Sequence, residues 1–155
     1  PDGRPDHEPL GTAAMSEPTA VSVGDEIPPW TMPSVDPARM RTMAAILRDP
    51  YSVHWDREAN AALGLPGRVI NQGPLNLGYI VNMLLAWAGP TCVRRLTVSF
   101  GRPVLDGDSV TARGRVTEVA DVDGERRATC EVWLDREGEQ VVTGTAVVAT
   151  ATAQP

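Results

Sequence analysis

The sequence predicts one α+β domain in which an antiparallel sheet wraps around a single long, apolar helix. Three observations carry this. A chain of 155 residues has the length of one domain with a tail, and folding it buries roughly two thirds of its unfolded surface. Between Gly73-Pro74 and Gly89-Pro90 the side chains are apolar nearly all round, Leu75, Ile80, Leu84 and Trp87 among them. A helix of that composition is a buried one. Beyond it, apolar and polar residues alternate with a period of two, punctuated by Asp-Gly and Glu-Gly pairs. That is the pattern of strands with one covered face.

Residues 1–20 are rich in proline, glycine and acidic groups without periodicity, so they are expected to form a loosely attached N-terminal tail. The domain then runs over 21–151, with 152–155 as a C-terminal tail. Ile27 to Val35 holds three prolines and suits only an irregular edge strand. Asp36-Pro37 starts a helix, with Asp as N-cap and Pro at the first helical position. Met40, Met43, Ala44 and Leu47 place one apolar stripe on it, and Pro50 ends it at Asp49. A short helix follows from Asp56 as N-cap to Leu63, stopped by Gly64.

Leu65 to Gln72 reads as a loop, and the long helix begins at Gly73-Pro74. In the strand region Leu96, Val98 and Phe100 share one side. Val110, Ala112 and Val116 repeat the pattern, then Ala128, Cys130, Val132 and Leu134, then Val141 to Ala149. Asp106-Gly107, Asp123-Gly124 and Glu137-Gly138 are the turns of an antiparallel meander. Its apolar face needs a cover, and the long helix supplies one.

A net charge of −6 gives no electrostatic footprint for nucleic acid or an anionic membrane. No stretch approaches the roughly 20 apolar residues of a membrane span, and no charged-then-apolar signal pattern opens the chain. The expected setting is the cytoplasm. Cys92 and Cys130 lie far apart and only two histidines are present, so neither a disulfide framework nor a zinc site is expected. Free thiols fit a reducing compartment.

His54 is the one histidine within the domain, since His7 lies in the tail. Asp49 precedes it by five residues, across Asp49-Pro50-Tyr51-Ser52-Val53-His54. Asp49 sits at a helix C-terminus, where the macrodipole disfavours an anion by about 0.3–1 kcal/mol. Pro50 forces a turn that can return the two side chains toward each other. A carboxylate and an imidazole sharing one water form a general acid–base pair, worth about 10²–10⁴ in rate. The competing reading is an Asx turn at Asp49 and a structural hydrogen bond at His54. At Asn71-Gln72-Gly73-Pro74 the helix start leaves N–H groups unpaired, and the Gly73 N–H has no side chain blocking its approach to a carbonyl oxygen. That matches an oxyanion hole, though on these residues alone a plain glycine cap followed by a first-turn proline is the better reading. Trp55, beside His54, is either a packing residue or part of a pocket wall.

In combination these features resemble the MaoC-like (R)-specific enoyl-CoA hydratases and hydroxyacyl-thioester dehydratases. The resemblance rests on Asp49 and His54 at that spacing, on the Gln72-Gly73 turn into the apolar helix, and on Val98-Ser99-Phe100-Gly101-Arg102-Pro103-Val104 with Gly107-Asp108. It implies a hot-dog fold, with Asp49 and His54 as the catalytic pair and the Gly73 N–H on the thioester carbonyl. Asn71, Gln72, Tyr51 and Trp55 are the neighbouring substrate-binding candidates. It implies a hydro-lyase acting on an acyl thioester of CoA or acyl carrier protein, with no metal or redox cofactor. The expected assembly is a homodimer through sheet edges, with a heterodimer with another hot-dog chain as the alternative. The sequence departs from that family where Arg48 precedes the aspartate and where Tyr51-Ser52 replaces Asn-Pro. A non-catalytic acyl-binding subunit and a hot-dog thioesterase are the alternative functions.

Overall fold

The computed structural model describes residues 20–65 and 67–150; of the expected tails, 1–20 and 152–155, all but Ala20 lies outside the described residues, as does residue 151 at the end of the expected domain. The chain runs β1 (Glu26–Met32), α1 (Pro37–Leu47), a 3-10 turn (Ser52–His54), α2 (Arg57–Ala62), α3 (Gly73–Ala88), β2 (Val93–Phe100), β3 (Val110–Val122), β4 (Glu125–Arg136) and β5 (Glu139–Ala149). The five strands form one antiparallel sheet in the order β1-β3-β4-β5-β2. It curves around α3, the hot-dog arrangement that the sequence resemblance implies.

The expectation of a simple meander needs correction. Only β3, β4 and β5 follow one another as neighbours; β2 lies outside β5 and β1 outside β3. Asp106-Gly107 is therefore not a hairpin turn. It belongs to a crossover, Gly101 to Ser109, that carries the chain from one sheet edge back to β3. Both hairpin turns are as expected. Asp123 and Gly124 (φ 54° and 79°) and Glu137 and Gly138 (φ 53° and 87°) place two successive residues in the left-handed region. Two such residues build the tight turn whose twist matches that of paired strands.

β1 is the irregular edge strand expected. Its register on β3 slips between Ile27 and Trp30, where Pro28 and Pro29 offer no N–H to the ladder. Asp36 caps α1 by accepting the Ala38 N–H at 2.8 Å. The helix ends at Leu47, two residues earlier than Pro50 alone implies, because Arg48 takes the left-handed conformation (φ 52°). Its predicted apolar stripe is buried only at Met40, while Ile46 and Leu47 are exposed.

Helix α3 packs one face on the sheet through Asn76, Tyr79, Ile80, Met83 and Leu84, and Tyr79 stacks on Trp30 of β1 at 5.6 Å. Around the rest of its circumference Leu77, Val81 and Leu85 are only partly covered. Full burial, as its composition predicts, is not reached within one chain. Cys92 and Cys130 are buried free thiols. Burial, together with the neighbouring Cys92, pushes the Cys130 thiol up to about 11.

Gly144 of β5 pairs with both Val98 and Val132. A Cβ there would collide with the Thr97 carbonyl oxygen and lie 3.0 Å from the Val98 Cα. Because backbone cannot yield as a flexible side chain does, Gly144→Ala is expected to cost about 1–3 kcal/mol, read as a lowered midpoint in urea unfolding. An unchanged midpoint would show that the strands have room to separate.

Candidate functional site

The site grows out of the stretch between α1 and α2. After Arg48 reverses the chain, the Asp49 N–H bonds back to the Ala44 carbonyl at 2.9 Å. Its Oδ1 accepts the Tyr51 N–H at 3.0 Å, an Asx turn that steers the chain around Pro50. The 3-10 turn follows, anchored by buried Val53, whose carbonyl accepts both the Ile70 N–H at 2.8 Å and the Asn60 amide at 2.9 Å. Asn60 also donates to the Arg68 carbonyl at 2.7 Å, so one buried amide ties α2 to the loop on either side of it.

His54 is then held by its own ring. Nδ1 lies 2.7 Å from the Ile70 carbonyl oxygen, and a carbonyl can only accept, so the proton of the neutral ring resides on Nδ1. Nε2 is left with its lone pair and faces Asp49 Oδ2 at 3.5 Å. The Asx turn and the approach of the two side chains are therefore present together. Asp49 makes the Asx turn with one oxygen and reaches the imidazole with the other. Tyr51 packs edge-on against the His54 ring at 6.1 Å and is otherwise 61% exposed.

A cavity of about 260 Å³ opens beside the imidazole, lined by His54, Asn71, Gly73, Asn76, Phe100 and Pro103 among others. Gly73 is the first residue of α3, so its N–H has no acceptor within the helix. The Phe100 ring lies across it, close enough that a Cβ on Gly73 would stand 3.3 Å from the ring. Asp49 meets His54 from the α1 side and does not itself line the cavity. Gln72, Tyr51 and Trp55 do not line it either. Gln72 is buried and ties α3 to α1 by donating to the Met40 carbonyl at 2.9 Å.

The crossover forms the cavity's outer wall, and a cluster of charges that the sequence reading missed holds it there. Asp106 accepts the Val69 N–H at 2.8 Å and is paired with Arg57. Arg68 meets Asp108 at 2.7 Å, and Arg136 reaches both Asp108 and the Pro103 carbonyl. Burial alone would raise the Asp108 carboxyl. The Leu105 N–H and the Arg68 and Arg136 guanidiniums outweigh it and hold the group below the usual carboxylate range. The signal was a pair of aspartates flanking Gly107, which a turn explains equally well. Among the described residues, no three His, Cys, Asp or Glu side chains come together in a metal-ligating group, and no helix is long and apolar enough to cross a membrane.

The sequence matches the family described as MaoC like domain over residues 18–151. Among solved structures it is similar to the (R)-hydratase of A. caviae involved in PHA biosynthesis, at 28% identity and a TM-score of 0.73, covering 86% of this chain and 99% of that one. It is similar to the R-hydratase PhaJ1 of Pseudomonas aeruginosa at 26% and 0.71, covering 87% and 91%. It is similar to a chain of the ChsH1-ChsH2 complex of Mycobacterium tuberculosis at 26% and 0.73, covering 85% and 100%. No curated protein matches it.

Asp108 titrates below its unfolded value, so its stabilising contribution is complete above the ordinary carboxyl range of about pH 4. It is lost as pH falls through the lower folded value. Asp108→Asn is expected to cost about 2–3 kcal/mol at pH 7. The gap between variant and wild type should close as unfolding is followed toward pH 2. A gap independent of pH would show that charge at this position does not matter.

Proposed function

The chain belongs to the MaoC-like dehydratase family, and from that premise we propose that it adds or removes water across the C2–C3 bond of an acyl thioester. Hydration and dehydration are the chemistry of the family and of the similar R-hydratases. The observation that carries the residue roles is the Asp49–His54 approach at 3.5 Å, with His54 lining the cavity into which Gly73 also opens.

Nε2 of the neutral imidazole and Oδ2 of the carboxylate are two acceptors side by side. A water seated against them gives one hydrogen to each and turns a lone pair toward the substrate. In the hydration direction its oxygen bonds to C3 of a trans-2-enoyl thioester as the C2–C3 π electrons shift toward the thioester oxygen. One proton is taken up by the Asp49–His54 pair and a proton is delivered to C2, so the sum is one water added. Dehydration runs the same steps backward. Negative charge gathers on the thioester oxygen midway, and in this reading the Gly73 N–H, at the positive end of α3 and unpaired within the helix, is the donor that receives it. The carrier, CoA or acyl carrier protein, belongs to the substrate, and the chemistry assigned to these residues calls on no metal or redox cofactor. Asn71 contributes to the cavity wall, while Tyr51, outside the lining, packs on the His54 ring.

We propose a dimer paired through sheet edges. Two observations leave room for an unlike partner: Tyr51-Ser52 at the turn, and similarity to a chain from a complex of two named components. In that second reading the chain is an acyl-binding subunit whose own pair is idle.

Incubation of the purified chain with trans-2-enoyl-CoA of several lengths should consume the enoyl absorbance. Asp49→Asn and His54→Ala are each expected to lower the rate by about 10²–10⁴. Full activity in both variants would end the assignment, and activity appearing only with a second hot-dog chain, unaffected by these substitutions, would favour the idle subunit. Free thiol released from acyl-CoA would identify a thioesterase instead.

A further inference from the structure

The first turn of α3 carries a polar side chain that the proposed chemistry does not yet use. Asn76 is 4% exposed, on a helix whose other sheet-facing residues are Tyr79, Ile80, Met83 and Leu84. An amide buried among such groups is costly unless its hydrogen bonds are made. Its Oδ1 is satisfied, accepting from Asn71 Nδ2 at 2.7 Å. Its Nδ2 has no acceptor among the described residues, nor is it one of the fully enclosed unpaired atoms, which are Asn60 Oδ1, Asn71 Oδ1 and Gln72 Oε1. Asn76 is also part of the cavity wall, together with His54 and Gly73. The free N–H groups therefore open into the cavity.

Position on the helix makes this more than a stray polar residue. Residues three apart lie on neighbouring points of one helical face, so Gly73 and Asn76 present the backbone N–H and the side-chain amide from one side of the helix start. Asn71, itself 2% exposed, holds the arrangement. By donating to Asn76 Oδ1 it fixes which end of that amide faces the cavity, and a donor whose own oxygen is engaged is a stronger donor.

We propose that Asn76 Nδ2 is a second hydrogen-bond donor to the thioester oxygen, acting with the Gly73 N–H, and that Asn71 is the positioning residue that aims it. This rests on the reading of the cavity as an acyl-thioester site. Two donors converging on one oxygen favour the charge-bearing intermediate state over the neutral thioester, because the gain per bond grows with the charge on the acceptor. Asn76 is then a residue of the reaction itself, and its removal lowers turnover more than binding.

The test uses the full chain with crotonyl-CoA as substrate and butanoyl-CoA, carbon-13 labelled at the carbonyl, as an inert ligand. Asn76→Leu keeps the shape and removes the donor, and Asn71→Ala removes the aim. Asn76→Leu is expected to lower kcat by about 10²–10³ with KM within a few-fold of wild type. In difference infrared spectra, the lowered stretch of the bound thioester carbonyl should return toward its value in water in both variants. Unchanged kcat, or a carbonyl stretch identical to wild type, overturns the role of Asn76 and leaves Asp49 and His54 untouched. A wild-type protein that shifts the carbonyl yet adds no water overturns the hydratase reading and keeps the donor. Failure to bind butanoyl-CoA at all overturns both.

Discussion

One short hydrogen bond organises the site: His54 Nδ1 to the Ile70 carbonyl at 2.7 Å. It fixes the ring's orientation and its tautomer together, since the acceptor is a carbonyl and the proton must lie between them. Everything chemical about the site follows from where that leaves Nε2. Were the ring free to turn, Asp49 would face a donor or an acceptor at random and the proposed water site would have no defined geometry. The bond in turn depends on the Ile70 backbone being immobile, and the 3-10 turn and residues 69–71 immobilise each other. Ile70 donates to the Val53 carbonyl, Asn60 donates to the same carbonyl, and Asn71 donates to the Val104 carbonyl at 2.7 Å.

The strand order explains why the cavity lies where it does. With β2 and β3 separated by β5 and β4, the connecting segment must traverse the end of the sheet, a distance of about three strand spacings of 4.8 Å. It therefore passes over the start of α3. Ile70 and Leu105 meet there in an isolated antiparallel bridge. A segment with so little secondary structure needs other restraints, and the Arg57–Asp106–Arg68–Asp108–Arg136 cluster provides them. These charges are partly buried but mutually paired, so removing one member strands the others. Such clusters hold geometry more than they add stability.

Buried amides recur around the site. Asn60, Asn71, Gln72 and Asn76 are all enclosed, and three of them retain an unpaired oxygen. A core designed for stability alone would use apolar residues in these places. Here the amides connect segments that have no regular ladder to join them: Gln72 to α1, Asn60 to two loops, Asn71 to Asn76. The partly covered outer side of α3 and the open edge of β2 give the dimer proposal its physical basis, since both expose groups that pairing with another chain of the same fold would cover.

The sequence by itself determined the element types and the chemical identity of the pair. The apolar run from Gly73 to Ala88, the period-two strands, the two tight hairpin turns and the Asp36 cap are local patterns, legible because each depends on residues within a few positions. Asp49 and His54 were legible for the same reason, being five residues apart across a proline. Only the tertiary structure decided that β2 lies at the far edge, that α1 fully buries its apolar stripe at Met40 alone, and that Tyr51, Trp55 and Gln72 lie outside the cavity lining. It alone brought Phe100 to Gly73, buried Asn76 beside the cavity and joined Asp106 to arginines 38 and 49 positions away in the chain. These depend on contacts between distant segments, where periodicity carries no information about which surfaces meet. Asn76 shows the limit most clearly: an asparagine on an apolar helix reads as a surface position until the fold buries it beside an unfilled space.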